Sequence, residues 1–227
     1  YSLIRPMLEK ALMLETNNQV GKAKDIYETQ LSYIKDNSSE WLMSNSEDTV
    51  WRKGMEEYIF ELYFEVYDGY MDLLSSSRDD AERDFEMISK LEEFCVINYG
   101  VLSKIKILPD FQLSLLKAKV NYYRNTQSVE QLTNYCDEAL QVLDNLGDKS
   151  KYKNYNGNFL NKWEILDYED LEYDFILLKR WVNDDQHPIS INEEMKQLAS
   201  NWISKESIYT ILDAQSSIVY HYFLKED

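Results

Sequence analysis

Apolar positions recur every three to four residues along most of the chain, the spacing of helices that bury one stripe. Polar clusters and turn-forming residues divide that pattern into about nine helical segments. The spacing predicts helices over Leu3–Glu15, Val20–Ile34, Ser46–Leu74, Asp79–Leu108, Phe111–Asn125 and Val129–Leu146. A seventh starts at Phe159 or Asp167 and runs to Val182, an eighth covers Asn192–Ile203, and a ninth Glu206–Leu224. Asn17-Asn18, Asn37-Ser38-Ser39, Ser75-Ser76-Ser77 and Gly147 are the expected breaks. The polar stretch from Asp148 to Asn158 reads as an exposed loop.

The third segment is apolar around much of its circumference: Tyr58, Ile59, Leu62, Tyr63, Val66, Tyr67 and Tyr70. Such a helix is covered on several sides, as a central core helix or by a second subunit. Six Gly and three Pro in 227 residues leave little room for the turns of a β-protein. The expected fold class is therefore all-α, a single domain of antiparallel helices. No self-similarity appears at the period of about 34 residues that tetratricopeptide arrays show.

Composition narrows the functions. Forty-one acids against 24 bases give a net charge of −17, which repels nucleic acids and anionic membranes over most of the surface. Glu61, Glu65 and Asp68 interrupt the richest apolar window, Tyr58–Tyr70, so no bilayer span is expected. Cys95 and Cys136 have apolar neighbours and read as buried free thiols, which suits a reducing, cytoplasmic setting. The start, YSLIRPMLEK, lacks the basic leader and apolar run of a signal peptide. It opens on Tyr1, so the natural N-terminus is expected upstream. His187 and His221 have no nucleophile or ligand partner at a recognised spacing, and no phosphate loop or metal motif occurs. Neither an enzyme nor a cofactor site is expected.

The candidate chemistry lies between Phe94 and Arg124. Its second half places Lys117, Asn121 and Arg124 on one helical face, flanked by Leu113, Leu116 and Val120. In a chain so poor in bases, that cluster is a candidate anion seat. Pairing of Lys117 and Arg124 with carboxylates of neighbouring helices is the competing reading.

The run Leu116-Lys117-Ala118-Lys119-Val120-Asn121-Tyr122-Tyr123-Arg124-Asn125 resembles the Leu-Lys-x-Lys-Gly-Asp-Tyr-Tyr-Arg-Tyr run of the 14-3-3 family. Leu91-Glu92-Glu93-Phe94-Cys95 leading to Ile107-Leu108-Pro109, and Lys10-Ala11 with Glu15, are similar to two further stretches of that family. The helix order covers the whole chain; recognisable residues cover about a quarter. The resemblance implies a homodimeric adaptor of nine antiparallel helices. Positions 1–108 would form the dimer half, with Tyr63, Tyr67, Tyr70 and Phe85 as interface candidates. Positions 109–227 would form the wall of a groove for phosphoserine or phosphothreonine peptides of partner proteins.

Carried over by position, the phosphate ligands are Arg124 and Lys117, with Asn125 where the family has a tyrosine. The family's third helix supplies a Lys and an Arg seven residues apart. Here that helix offers only Arg52 and Lys53, adjacent in sequence and about 100° apart around the axis. An ungapped alignment puts Val50 and Glu57 at the two basic positions, and Glu57 repels phosphate. Asn121, Leu171, Glu172, Ile208, Leu212, Ser216 and Val219 are the expected peptide-groove residues. Charge-assisted bonds contribute about 1.5–3 kcal/mol each, so losing two of them weakens phosphopeptide binding a hundredfold or more. Two functions follow: an adaptor with altered phosphate recognition, or a helical protein–protein scaffold independent of phosphate.

Overall fold

The computed structural model describes residues 4–43, 49–75, 80–124, 126–147 and 168–183. Nine-tenths of these residues are helical and none forms a strand, so the chain is all-α among the described residues. Eight helices occur there: α1 (Ile4–Thr16), α2 (Val20–Met43), α3 (Thr49–Asp72), α4 (Ala81–Ile97), α5 (Tyr99–Lys104), α6 (Leu108–Tyr123), α7 (Val129–Asn145) and α8 (Tyr168–Asn183). The eighth and ninth predicted helices and the 148–158 loop lie outside the described residues.

Three boundaries differ from the sequence reading. Helix α2 passes through Asn37-Ser38-Ser39 to Met43. Asn37 Nδ2 donates to the Tyr33 carbonyl at 2.8 Å and Ser38 Oγ to that of Lys35 at 3.2 Å, so both side chains bond back to the helix rather than ending it. The predicted fourth helix divides at Asn98, whose Nδ2 donates to the Phe94 carbonyl at 2.9 Å. Leu108-Pro109 opens α6 instead of closing its predecessor. Proline's fixed φ and missing N–H suit a first turn, and Lys106, at φ 65°, reverses the chain just before it. Other breaks stand: Asn18 (φ 57°) turns α1 into α2, and Gly147 (φ 66°) follows α7. A capping box of Ser128 and Gln131 starts α7.

The helices pair α1 with α2, α2 with α3, α6 with α7 and α7 with α8; α6 also packs on α3 and α4. Helix α6 is the hub, burying Phe111, Leu113, Leu115, Leu116, Ala118 and Val120 around its circumference. Helix α3 buries Ile59, Leu62, Phe64, Val66, Tyr67 and Tyr70, which makes it a central helix. Phe64 meets Phe111 edge-on at 5.2 Å, and farther along Asp72 meets Lys117, so α3 and α6 run parallel. Contacts of Phe94 with Phe111 and of Glu92 with Lys119 show that α4 runs antiparallel to α6. No described helix is long and apolar enough to cross a membrane.

Candidate binding face

Lys117 leaves the buried body of α6 in the seam between α3 and α8. Its Nζ lies 3.4 Å from Asp72 Oδ1 and 3.8 Å from Asp174 Oδ2. Burial lowers the affinity of this ammonium for its proton, but Asp72, Asp174 and Asp68 outweigh that, and the net direction is upward. The carboxylate reading of Lys117 is thus the one the geometry gives.

Asp68 sits one helical turn before Asp72 on the same face of α3 and is half-buried. Burial, then the neighbouring Asp72, push its carboxyl up to about 7. The Ser114 hydroxyl and Lys117 pull the other way, and buried Asp110 adds to the rise. Ser114 Oγ faces this group yet closes no hydrogen bond of good geometry. One side of α6 therefore carries Asp110, Ser114 and Lys117 in successive turns, opposed by Asp68 and Asp72 and flanked by Asp174.

The expected site residues fall in different places. Arg124 is the half-buried C-cap of α6, two turns beyond Lys117, and half-buried Asn121 lies between them. Asn125 lies outside the described residues. Exposed Arg52 and Lys53 stand in the first turns of α3, and Lys53 reaches Glu57 at 3.7 Å. Some 20 residues of helix, about 30 Å at 1.5 Å per residue, separate them from Asp72. Because α3 and α6 run parallel, Arg124 lies still farther along, and Arg52 and Lys53 do not join Lys117 and Arg124 in one cradle.

Leu171, expected as groove wall, is buried in a cluster with Leu113, Leu116, Ala139, Leu143 and Phe175. It belongs to the core between α6, α7 and α8; Glu172 is half-buried. Ile208, Leu212, Ser216 and Val219 lie outside the described residues, as do His187 and His221. The Tyr122 hydroxyl donates to the Ala81 carbonyl at 2.8 Å, so the Tyr-Tyr-Arg run also ties the end of α6 to the start of α4.

Sequence reasoning missed a cleft of about 840 Å³ between α2, α3 and α4, lined by Leu31, Leu42, Phe60, Tyr63, Tyr67 and Phe94 among others. Ile97, which lines it, is exposed, as are Met43, Val50, Val96 and Tyr99 near the ends of α2, α3, α4 and α5. Tyr63 and Tyr67, named as interface candidates, line this cleft. Tyr70, the third, is sealed in the core with its hydroxyl 3.3 Å from Asp84, and cannot face a partner. Phe85 is 48% exposed.

Among the described residues, no group of three or more His, Cys, Asp or Glu side chains is placed to hold a metal ion. No family model, curated protein or solved structure matches the chain.

Proposed function

We propose that this chain is a 14-3-3-like adaptor that holds a peptide segment of a partner protein along the face shared by α3, α6 and α8, with phosphate recognition weakened. One observation carries the reading: the Lys117 ammonium rises from the hub helix into a seam whose carboxylates, Asp72 and Asp174, are 55% and 43% exposed. A polar, solvent-reached seam along the hub helix suits binding. Two carboxylates already engage the cation that would meet a phosphate, so a phosphopeptide must displace them.

The role proposed is binding, with no catalysis and no cofactor, in the cytoplasm. The cleft between α2, α3 and α4, rimmed by Lys35, Glu56, Lys90 and Glu93, supports a homodimer through the N-terminal helices, because Tyr63, Tyr67 and Phe94 offer aromatic area beside exposed Ile97. Light scattering on the eluting protein tests it: a pair weighs twice 27.0 kDa, and a single 27.0 kDa species removes the dimer.

The negative balance around Lys117 favours a second reading, a helical interaction scaffold independent of phosphate. Fluorescence anisotropy with one peptide in phosphorylated and unmodified forms separates the two. Phosphate-dependent binding lost in Arg124→Ala supports the adaptor with residual phosphate recognition. Equal affinities support the scaffold.

A further inference from the structure

The cleft between α2, α3 and α4 is pinned at one end. There Lys24 and Glu28 of α2 bond to Asp84 and Arg83 of α4, and Tyr70 of α3 joins them. From this clamp α2 and α4 run the same way, both antiparallel to α3, as far as Leu42 and Asn98. At 1.5 Å per residue the α2 wall, Glu28 to Leu42, is about 21 Å long. Half-buried Phe60, Tyr63 and Phe94 form the floor, with the Tyr63 and Phe94 ring centroids 4.9 Å apart. An aromatic floor left uncovered on so apolar a helix as α3 marks an interaction surface.

The chain itself offers an element that fits. Where α4 turns into α5, Val96, Ile97 and Tyr99 are 72%, 71% and 60% exposed. Ile97 and Asn98 also line the far end of the cleft, so this corner and the cleft form one continuous surface. Charge favours a second copy over a basic partner. Phe94 to Ser103 holds no charged residue, in a chain whose net charge is −17. The cleft rim sets Lys35 and Lys90 among Glu28, Glu56 and Glu93, so it is close to neutral. Two copies of so acidic a chain repel over most of their surface, but an uncharged corner can enter a balanced rim without opposing like charges.

We propose that two copies clasp reciprocally, the α4–α5 corner of each entering the cleft of the other. The inference rests on the homodimer reading and names the surfaces that make it. A two-fold axis requires both contacts to be the same, and each copy supplies one corner and one cleft. Val96, Ile97 and Tyr99 then bury their exposed area against an aromatic floor. Gly100 completes the corner. A Cβ there would meet nothing within 4 Å in a single copy, so a side chain at this position disturbs the clasp and not the fold.

Sedimentation velocity over a range of concentrations measures the dissociation constant of the full chain. Val96→Asp and Gly100→Glu, at exposed positions of the corner, should weaken the pair about tenfold or more. Ser32→Trp, at an exposed position of the α2 wall, fills the cleft and should do the same. Met13→Asp and Phe85→Asp make the same charge change at exposed apolar residues outside the clasp, and should alter affinity by no more than about twofold. Mixed in equal amounts, Val96→Asp and Ser32→Trp should pair with each other better than either does with itself. Their mixed pair keeps one intact corner in one intact cleft. Circular dichroism checks that every variant folds.

A pair broken by Met13→Asp or Phe85→Asp, and not by Val96→Asp and Gly100→Glu, overturns the clasp and leaves the homodimer reading standing. So does failure of the mixed variants to pair, because corner would then meet corner. A parent chain that stays at 27.0 kDa at every concentration removes both, and the cleft then belongs to a different occupant.

Discussion

Lys24 on α2 places its Nζ 2.5 Å from Oδ1 of Asp84 on α4, with both side chains 2% exposed. The Tyr70 hydroxyl of α3 donates to the same oxygen at 3.3 Å. Three helices are thus fixed by one desolvated pair, and Arg83 extends the clamp outward to Glu28 and Asp25 at 2.6 and 2.7 Å. Removing one partner strands the other charge out of water. Lys24→Met or Asp84→Leu alone should cost about 3–5 kcal/mol, while the double variant should be much closer to the parent. Urea denaturation of the four proteins checks this. Additive losses would mean that the pair is not coupled.

At Gly69, α3 lies directly against the Tyr27 ring of α2. A Cβ there would lie 2.7 Å from Cε1 and from the hydroxyl oxygen of Tyr27. That ring cannot easily move aside, because its hydroxyl donates to Glu15 of α1 at 2.6 Å. Gly69→Ala should therefore destabilise through overpacking, by about 1–3 kcal/mol, against the roughly 1 kcal/mol that alanine gains in a helix. In a Tyr27→Leu background, where the ring is absent, the same change should be neutral or stabilising. Thermal midpoints of the single and double variants give the comparison.

Glu65 is half-buried, with both carboxylate oxygens shielded from solvent and unbonded. Burial, then Glu61, raise its carboxyl to about 7, and Arg5 opposes them. The fold thus holds the proton more tightly than the unfolded chain does. The sign follows: this group makes the protein more stable at acid pH, and that contribution is lost as pH rises from its usual value of 4.5 towards about 7. Glu65→Gln should stabilise by about 1–3 kcal/mol near pH 8 and progressively less towards pH 4. Denaturation at the two pH values measures it, and a pH-independent gain would assign the effect to packing.

Cys95 and Cys136 are both buried, and burial pushes each thiol up to about 12. The thiolate is the reactive form, so neither should react with Ellman's reagent in the native protein at neutral pH. Labelling should track unfolding in urea. Rapid labelling of one thiol without denaturant would show that its helix opens locally.

Much of the architecture can be read from one-dimensional periodicity. The stripes of α1, α3, α7 and α8 appear at nearly their observed places because each stripe is a local property of 3.6-residue spacing. Breaks that rest on backbone chemistry, such as Asn18 and Gly147, are legible for the same reason. Asn37-Ser38-Ser39 and Pro109 misled because their effect depends on where the side chain bonds and which turn it occupies. Lys117 stood out in the sequence as a clustered base, but its pairing with Asp72 and Asp174 on other helices was not legible there.

The order of hydrophobic and polar residues in this chain fixes an all-helical fold, its acidity and two thiols kept from water, since all three follow from composition and local spacing. Which helices touch is another matter. The parallel pairing of α3 with α6 brings Asp72 to Lys117 across 45 positions of sequence and leaves Arg52 and Lys53 at the far end of α3. Partners so distant along the chain are chosen by packing of whole helices, which no short window of residues encodes. That long-range choice turns a basic residue, read alone as a seat for an anion, into one member of a carboxylate-rich seam.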